Sequence, residues 1–132
     1  MSEAGLAMLR IVAGMAVATL HGWHKVVDGW QYLTAGAEWP LLHDTVQLGF
    51  PLPVLFAALA AFSQLVGGLL LATGACTRIA AFLVGSTMVT ALVFNLQSGG
   101  PDAQLAGLYA LVTGTFVLAG GGRWSVDRHL VR

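Results

Sequence analysis

Six polar residues stand within or beside long apolar runs, and their types suit binding more than bond-breaking: Arg10, His21, Lys25, Gln64, Asn95 and Gln104. They offer cations, an imidazole and amides, a set that can hold an anion or the carbonyl of a quinone-like head group. Three of them share the stretch from Leu9 to Lys25. At about 3.6 residues per turn, Arg10, Gly14, His21 and Lys25 fall near one line of a helix. Ile11, Val12, Met15, Ala16 and Thr19 lie on the other side and suit lipid. A charge deep in hydrocarbon costs roughly 3 kcal/mol on insertion scales, so the polar stripe is expected to face protein or water, or to snorkel.

Each residue also has a plainer reading. Amides between membrane helices often only cross-link them, at about 0.6 to 2 kcal/mol each, and Gln64 and Gln104 suit that role. His21 and Lys25 sit near a helix end, where solvent or headgroups can satisfy them. His24, three positions from His21, is a weak metal spacing, and His43 and His129 fall in a loop and a tail. Tyr109 and Met88 read as packing residues. Cys76 is the only cysteine, which rules out an intrachain disulfide, a CxxC pair and a cysteine-rich metal site. No metal site is predicted, and no catalytic centre is expected within one chain.

The elements that must position these residues are apolar helices. With 57% hydrophobic and 9% charged residues, the chain lies far from the soluble average of about 25% charged. Six basic and six acidic residues cancel, so nothing points to nucleic acid. Four apolar segments, 4–23, 54–75, 79–96 and 103–120, each approach the roughly 17 to 25 residues needed to cross a bilayer. The first contains Ala16-Val17-Ala18, which resembles a signal-peptide cleavage site after an apolar run, but it is read as a retained span. The long polar connection 26–53, with Trp30, Tyr32 and Trp39, is expected along the membrane surface. Pro53 suits the start of the second helix, and the turn Gly74–Arg78 demands an antiparallel hairpin.

Arg10, Arg78, Arg123, Arg128 and Arg132 fall at one end of such a bundle. Lys25 falls at the other, with Asp28, Glu38, Asp44 and Asp102. The positive-inside rule then makes both termini cytoplasmic and the 26–53 loop outward-facing, periplasmic in a bacterial inner membrane. Small residues four apart, among them Gly14-Ala18-Gly22, Gly68-Ala72, Ala81-Gly85 and Ala106-Ala110-Gly114, predict close helix contacts. The expected fold is an all-α integral membrane four-helix bundle in a single domain. Its outer pocket would hold His21, Lys25, Asn95 and Gln104, with Gln64 at the floor and Arg10 on the cytoplasmic side.

Four motifs resemble those of the DoxX-like family of small bacterial membrane proteins. They are Leu9-Arg10 with Gly14, His21-Gly22 and Lys25; the turn Gly49–Pro53; Gly67–Gly74 followed by Thr77-Arg78; and Gly120–Asp127. The resemblance implies a four-helix membrane fold. It also implies a context of electron transfer, since relatives include a thiosulfate:quinone oxidoreductase subunit and members of complexes that handle thiols and oxidants. The chain departs from the family pattern at Gln64 and Gln104, where glutamates are usual, at Asn95, where a histidine is common, and at Gly121, where a proline is usual. An amide hydrogen-bonds but does not relay protons as a carboxylate does, so proton-coupled chemistry is less expected here. Asp127, Asp28, a bound anion or a partner protein would then balance the cations.

These readings predict a noncatalytic accessory or anchoring subunit of a larger membrane complex, surrounded by lipid and other membrane subunits. The alternative is a subunit that binds quinone through His21 and Lys25. A small-solute carrier ranks below both, because paired interrupted helices are not evident.

Overall fold

The computed structural model describes residues 2–130; Arg132, counted above with the basic end, lies outside them. All regular structure among these residues is helical. Ser2 caps α1 (Glu3–Ala16) by accepting the Gly5 N–H at 3.0 Å. The chain passes without a break through a π-helical turn, Val17–Gly22, into α2 (Trp23–Ala35). The result is one continuous helix of 33 residues, with an 18-residue stretch apolar enough to cross a membrane. At 1.5 Å per residue it is roughly 50 Å long, against about 30 Å of hydrocarbon. Gly36, in the left-handed region at φ 68°, ends it.

The first helix thus runs on past the expected end near residue 23, into the segment expected as a polar connection. The 26–53 connection is largely helical: α2 runs on to Ala35, and α3 (Pro40–Gln47) follows, with proline in its first turn. The polar residues of 23–35 belong to an amphipathic helix, for which polarity is no barrier. Gly29, within α2, leaves room for the Trp39 ring, from which an added methyl would lie only 2.8 Å away.

The other apolar helices lie within two residues of their expected limits: α4 (Pro53–Thr73), α5 (Thr77–Ser98) and α6 (Ala103–Ala119). The continuous first helix, α4 and α5 are long and apolar enough to cross a membrane, and α6 is apolar but 17 residues long. Ile11, Phe82, Leu108, Leu111 and Leu118 are exposed on the exterior, as hydrocarbon would favour.

The first helix packs on α4 through a glycine seam. A methyl at Gly14 would lie 2.5 Å from the Ala72 nitrogen and the Gly68 carbonyl oxygen, and one at Gly22 2.5 Å from the Leu65 nitrogen. Without hydrophobic force between helices in lipid, such backbone approach is what dispersion requires. The π turn keeps the seam straight. Residues four apart drift about 40° per step in an α-helix, and the wider π turn offsets the drift between Gly14, Ala18 and Gly22.

Gly67 admits Val84 of α5, and Gly85 admits Thr113 of α6. Gly114 opens on nothing within 4 Å, so the expected Ala106-Ala110-Gly114 contact stripe does not extend that far; Ala106, Thr113 and Phe116 make up the buried face of α6.

The end opposite α3 is closed by the C-terminal segment. The Asp127 carboxylate accepts the Cys76 and Thr77 N–H groups at 2.6 and 2.8 Å, and so caps α5 from 50 residues away. Its own N–H donates to the Gly74 carbonyl at 3.0 Å. Ser125 accepts the Arg128 N–H at the start of the short α7 (Val126–Leu130).

Candidate functional site

α2 emerges from the π turn with Lys25 directed at α4. Its Nζ donates to Gln64 Oε1 at 2.8 Å, and Gln64 Nε2 donates to Thr87 Oγ1 of α5 at 3.2 Å. Thr87 completes the chain by donating to the Val84 carbonyl at 2.7 Å. Gln64 is 1% exposed, so its two bonds matter: an unpartnered amide there would cost about 1–3 kcal/mol. The glutamine therefore does cross-link helices, and it also holds the head of Lys25.

This chain forms one wall of a cleft of about 610 Å³. His21, the last residue but one of the π turn, lines it and meets Tyr109 of α6 edge to face, with ring centroids 5.3 Å apart and planes at 80°. Asn95 lines it as well, though its Nδ2 donates back to the Ala91 carbonyl at 2.8 Å. α3 covers the far end of the cleft with Leu41, Asp44, Thr45 and Leu48, while Asp28 and Asp102 stand nearby in its wall. Burial pushes the Asp44 carboxyl up, and the positive charges of His43 and Lys25 work against that rise.

The structure thus brings together four of the six residues picked from the sequence. The other two lie elsewhere. Arg10 sits eleven residues before His21, roughly 16 Å along the helix axis, too far to share its site. It is buried at the closed end, 1% exposed, where Nη2 donates to the Trp124 carbonyl at 3.0 Å. Gln104 is exposed at the start of α6 and does not line the cleft; Asp102, Leu105, Ala106 and Tyr109 take that face of the turn and helix.

Thr87, Asp44 and Tyr109 are among the cleft residues that the sequence reading missed or assigned to packing, as it did Met88. A signal for each was present. Thr87, Ala91 and Asn95 repeat every four residues along α5, and Leu41, Asp44, Thr45 and Leu48 form an i, i+3, i+4, i+7 face on α3. For Tyr109 the signal is its helix, since it lies one turn beyond Ala106 on the buried side of α6. Among the described residues, no group of three or more His, Cys, Asp or Glu side chains could hold a metal.

The cleft combines a cationic donor, an imidazole, a phenol and aromatic walls from Phe56 and Phe94. Its volume falls in the roughly 300–1,000 Å³ range of small-molecule sites. Such a lining is chemically suited to a flat, mostly apolar group bearing one or two hydrogen-bond acceptors.

No curated protein and no solved structure matches the chain. The DoxX family matches over residues 5–97, from the first turn of α1 to the last turn of α5. α6 and the Gly120–Asp127 stretch lie beyond the matched residues. With most of its length matched and its helices apolar enough to cross a bilayer, the chain belongs to the DoxX family and is a membrane protein.

Proposed function

We propose that the protein is a four-span subunit of a bacterial inner-membrane complex, with both termini cytoplasmic, and that its outward-facing cleft binds the head group of a quinone-type electron carrier. The hydrogen-bonded chain Lys25–Gln64–Thr87 carries this reading. A lysine that only needed solvating would point to water. This one is tied to a buried amide, which fixes its remaining N–H donors near the cleft wall. Lys25 donates to one ligand carbonyl, Tyr109 and His21 flank the ring, and Phe56 and Phe94 offer apolar faces. Electrons would come from a partner subunit, and this chain would supply the place where the carrier docks.

The acids at the outer end weigh against a free anion as ligand, since Asp28, Asp44 and Asp102 would repel it. The clasp of Asp127 on the Cys76 turn supports four spans, because α6 must return across the bundle for that bond to form.

The test is calorimetric titration of the protein in lipid nanodiscs with a short-chain ubiquinone. Micromolar binding is expected, and the His21→Ala, Lys25→Ala double variant should weaken it at least tenfold, because a hydrogen bond to a charged donor contributes about 1.5–3 kcal/mol. Equal binding by the double variant would remove the carbonyl-holding role. No binding by the parent protein would leave an anchoring subunit without a ligand.

A further inference from the structure

We infer that the cleft opens sideways into the bilayer between α4 and α5, and that the isoprenoid tail of its ligand lies in that opening. The inference rests on the quinone-type reading and names the part of the ligand which that reading leaves unplaced.

The two helices form a hairpin that is tight at one end and open at the other. Near the Gly74–Cys76 turn they touch, with Gly67 against Val84 and the Ala80 carbonyl oxygen. Gln64 to Thr87 is the last hydrogen bond between them on the way out. From this level outward, residues of both helices line the cleft: Ser86, beside Thr87, and Thr90 from α5, and Leu59 and Ala60 from α4. Leu59 is 53% exposed and Ser86 is also exposed, so the same residues that wall the cleft reach the outer surface. Ser86 lies near the middle of α5, at the depth of hydrocarbon rather than water.

The chemistry of the opening fits a lipid-filled gap. Ser86 Oγ donates to the Phe82 carbonyl at 2.8 Å and Thr90 Oγ1 to the Ser86 carbonyl at 2.9 Å. Both hydroxyls are satisfied within their own helix, so they present small surfaces to the gap without leaving a polar group bare in hydrocarbon. Meanwhile α3 covers the opposite, water-facing end, and three carboxylates surround it. An amphiphile therefore has an apolar way in from the bilayer, and a covered, acidic end toward water. The ligand class is a membrane-borne molecule with a flat carbonyl head and a long apolar chain.

Photolabelling tests this on the intact protein in nanodiscs, using a ubiquinone that carries a diazirine on its tail, with and without excess tailless quinone. Labels that the tailless head group competes away are expected within 56–63 and 86–94. Competed labels confined to α3, or to the outer faces of α1 or α6, would overturn the opening while leaving head-group binding intact. If tailless quinone displaces no label, the quinone-type reading fails, and the inference with it. A second measurement compares Ser86→Phe and Ala60→Phe, one from each wall, with the parent. The ratio of long-chain to tailless affinity should fall about tenfold in each; an unchanged ratio in a variant that still binds tailless quinone would overturn the opening.

Discussion

Asp127 and Arg10 show how a single side chain can be read correctly for charge and still be misplaced in role. From the sequence, Asp127 was one of several candidates, with Asp28, a bound anion or a partner protein, for balancing the cations Arg10, His21 and Lys25. In the structure its carboxylate is spent on two backbone N–H groups at the start of α5, while Arg10 reaches the Trp124 carbonyl. Partial burial alone would raise the Asp127 carboxyl, but the bonds from Thr77 and Cys76, with the charge of Arg10, together hold it below its ordinary value. The folded state then binds this proton more weakly than the unfolded state does. Its contribution is present above the usual carboxylate value of about 4 and is lost as pH falls through the depressed folded value. Asp127→Asn should therefore lower the thermal midpoint at pH 7 by a few degrees, as expected for losing a cap of about 1 kcal/mol. The difference between parent and variant should shrink as the pH is lowered toward 3. Thermal unfolding in mild detergent at both pH values checks this, and an equal gap at each would show that the carboxylate charge is not what caps α5.

At the scale of the helix, small residues were legible as a pattern but not as contacts. Gly14, Gly22 and Gly68 were picked out by spacing, and each proves to face backbone. Gly114 was picked out by the same rule and faces open space. Spacing shows which residues share a face; whether another helix reaches that face depends on the whole bundle. The two cases separate in energy. Replacing a helical glycine by alanine gains about 0.5–1 kcal/mol of helix propensity, whereas an overpacked methyl costs about 1–3 kcal/mol. Gly14→Ala should thus destabilise the bundle by about 1–2 kcal/mol, and Gly114→Ala should be neutral or mildly stabilising. Denaturant or thermal unfolding of the pair in one detergent checks both. Equal effects would mean that the close approach of the first helix to α4 is not maintained in the membrane. The helices within 26–53 went unread for a different reason. Hydropathy reports the surroundings of a segment, and α2 and α3 are amphipathic helices that bury Gly29 and Thr45 while keeping polar faces. The π turn, too, leaves little trace in residue types: Val17–Gly22 carries no residue that marks it apart from the α-helix around it.

For the whole molecule, the ends of the bundle differ in charge and in how they are closed. Arg10, Arg78 and Arg123 gather where the C-terminal segment clasps the Cys76 turn, and Arg123 donates its N–H to Glu3 at 3.0 Å. The other end holds Lys25, α3 and the acids around the cleft. The sequence made this division legible because the arginines all fall near the same set of turns. The cleft itself was only half legible, since α3 supplies its cover from a stretch that composition marked as loop. Orientation in the membrane decides whether that cover faces outward, as proposed, and Cys76 offers a direct test. It is the only cysteine, and it is exposed in the turn at the arginine-rich end. If positive charge sets the orientation, a membrane-impermeant maleimide should label Cys76 in inside-out vesicles and leave it unlabelled in intact spheroplasts. Ser98 is exposed at the opposite turn, so Cys76→Ser combined with Ser98→Cys should give the reverse pattern. Labelling of Cys76 from outside would turn the molecule over and put the cleft at the cytoplasmic face. On the quinone-type proposal, the head group would then dock from the cytoplasmic side.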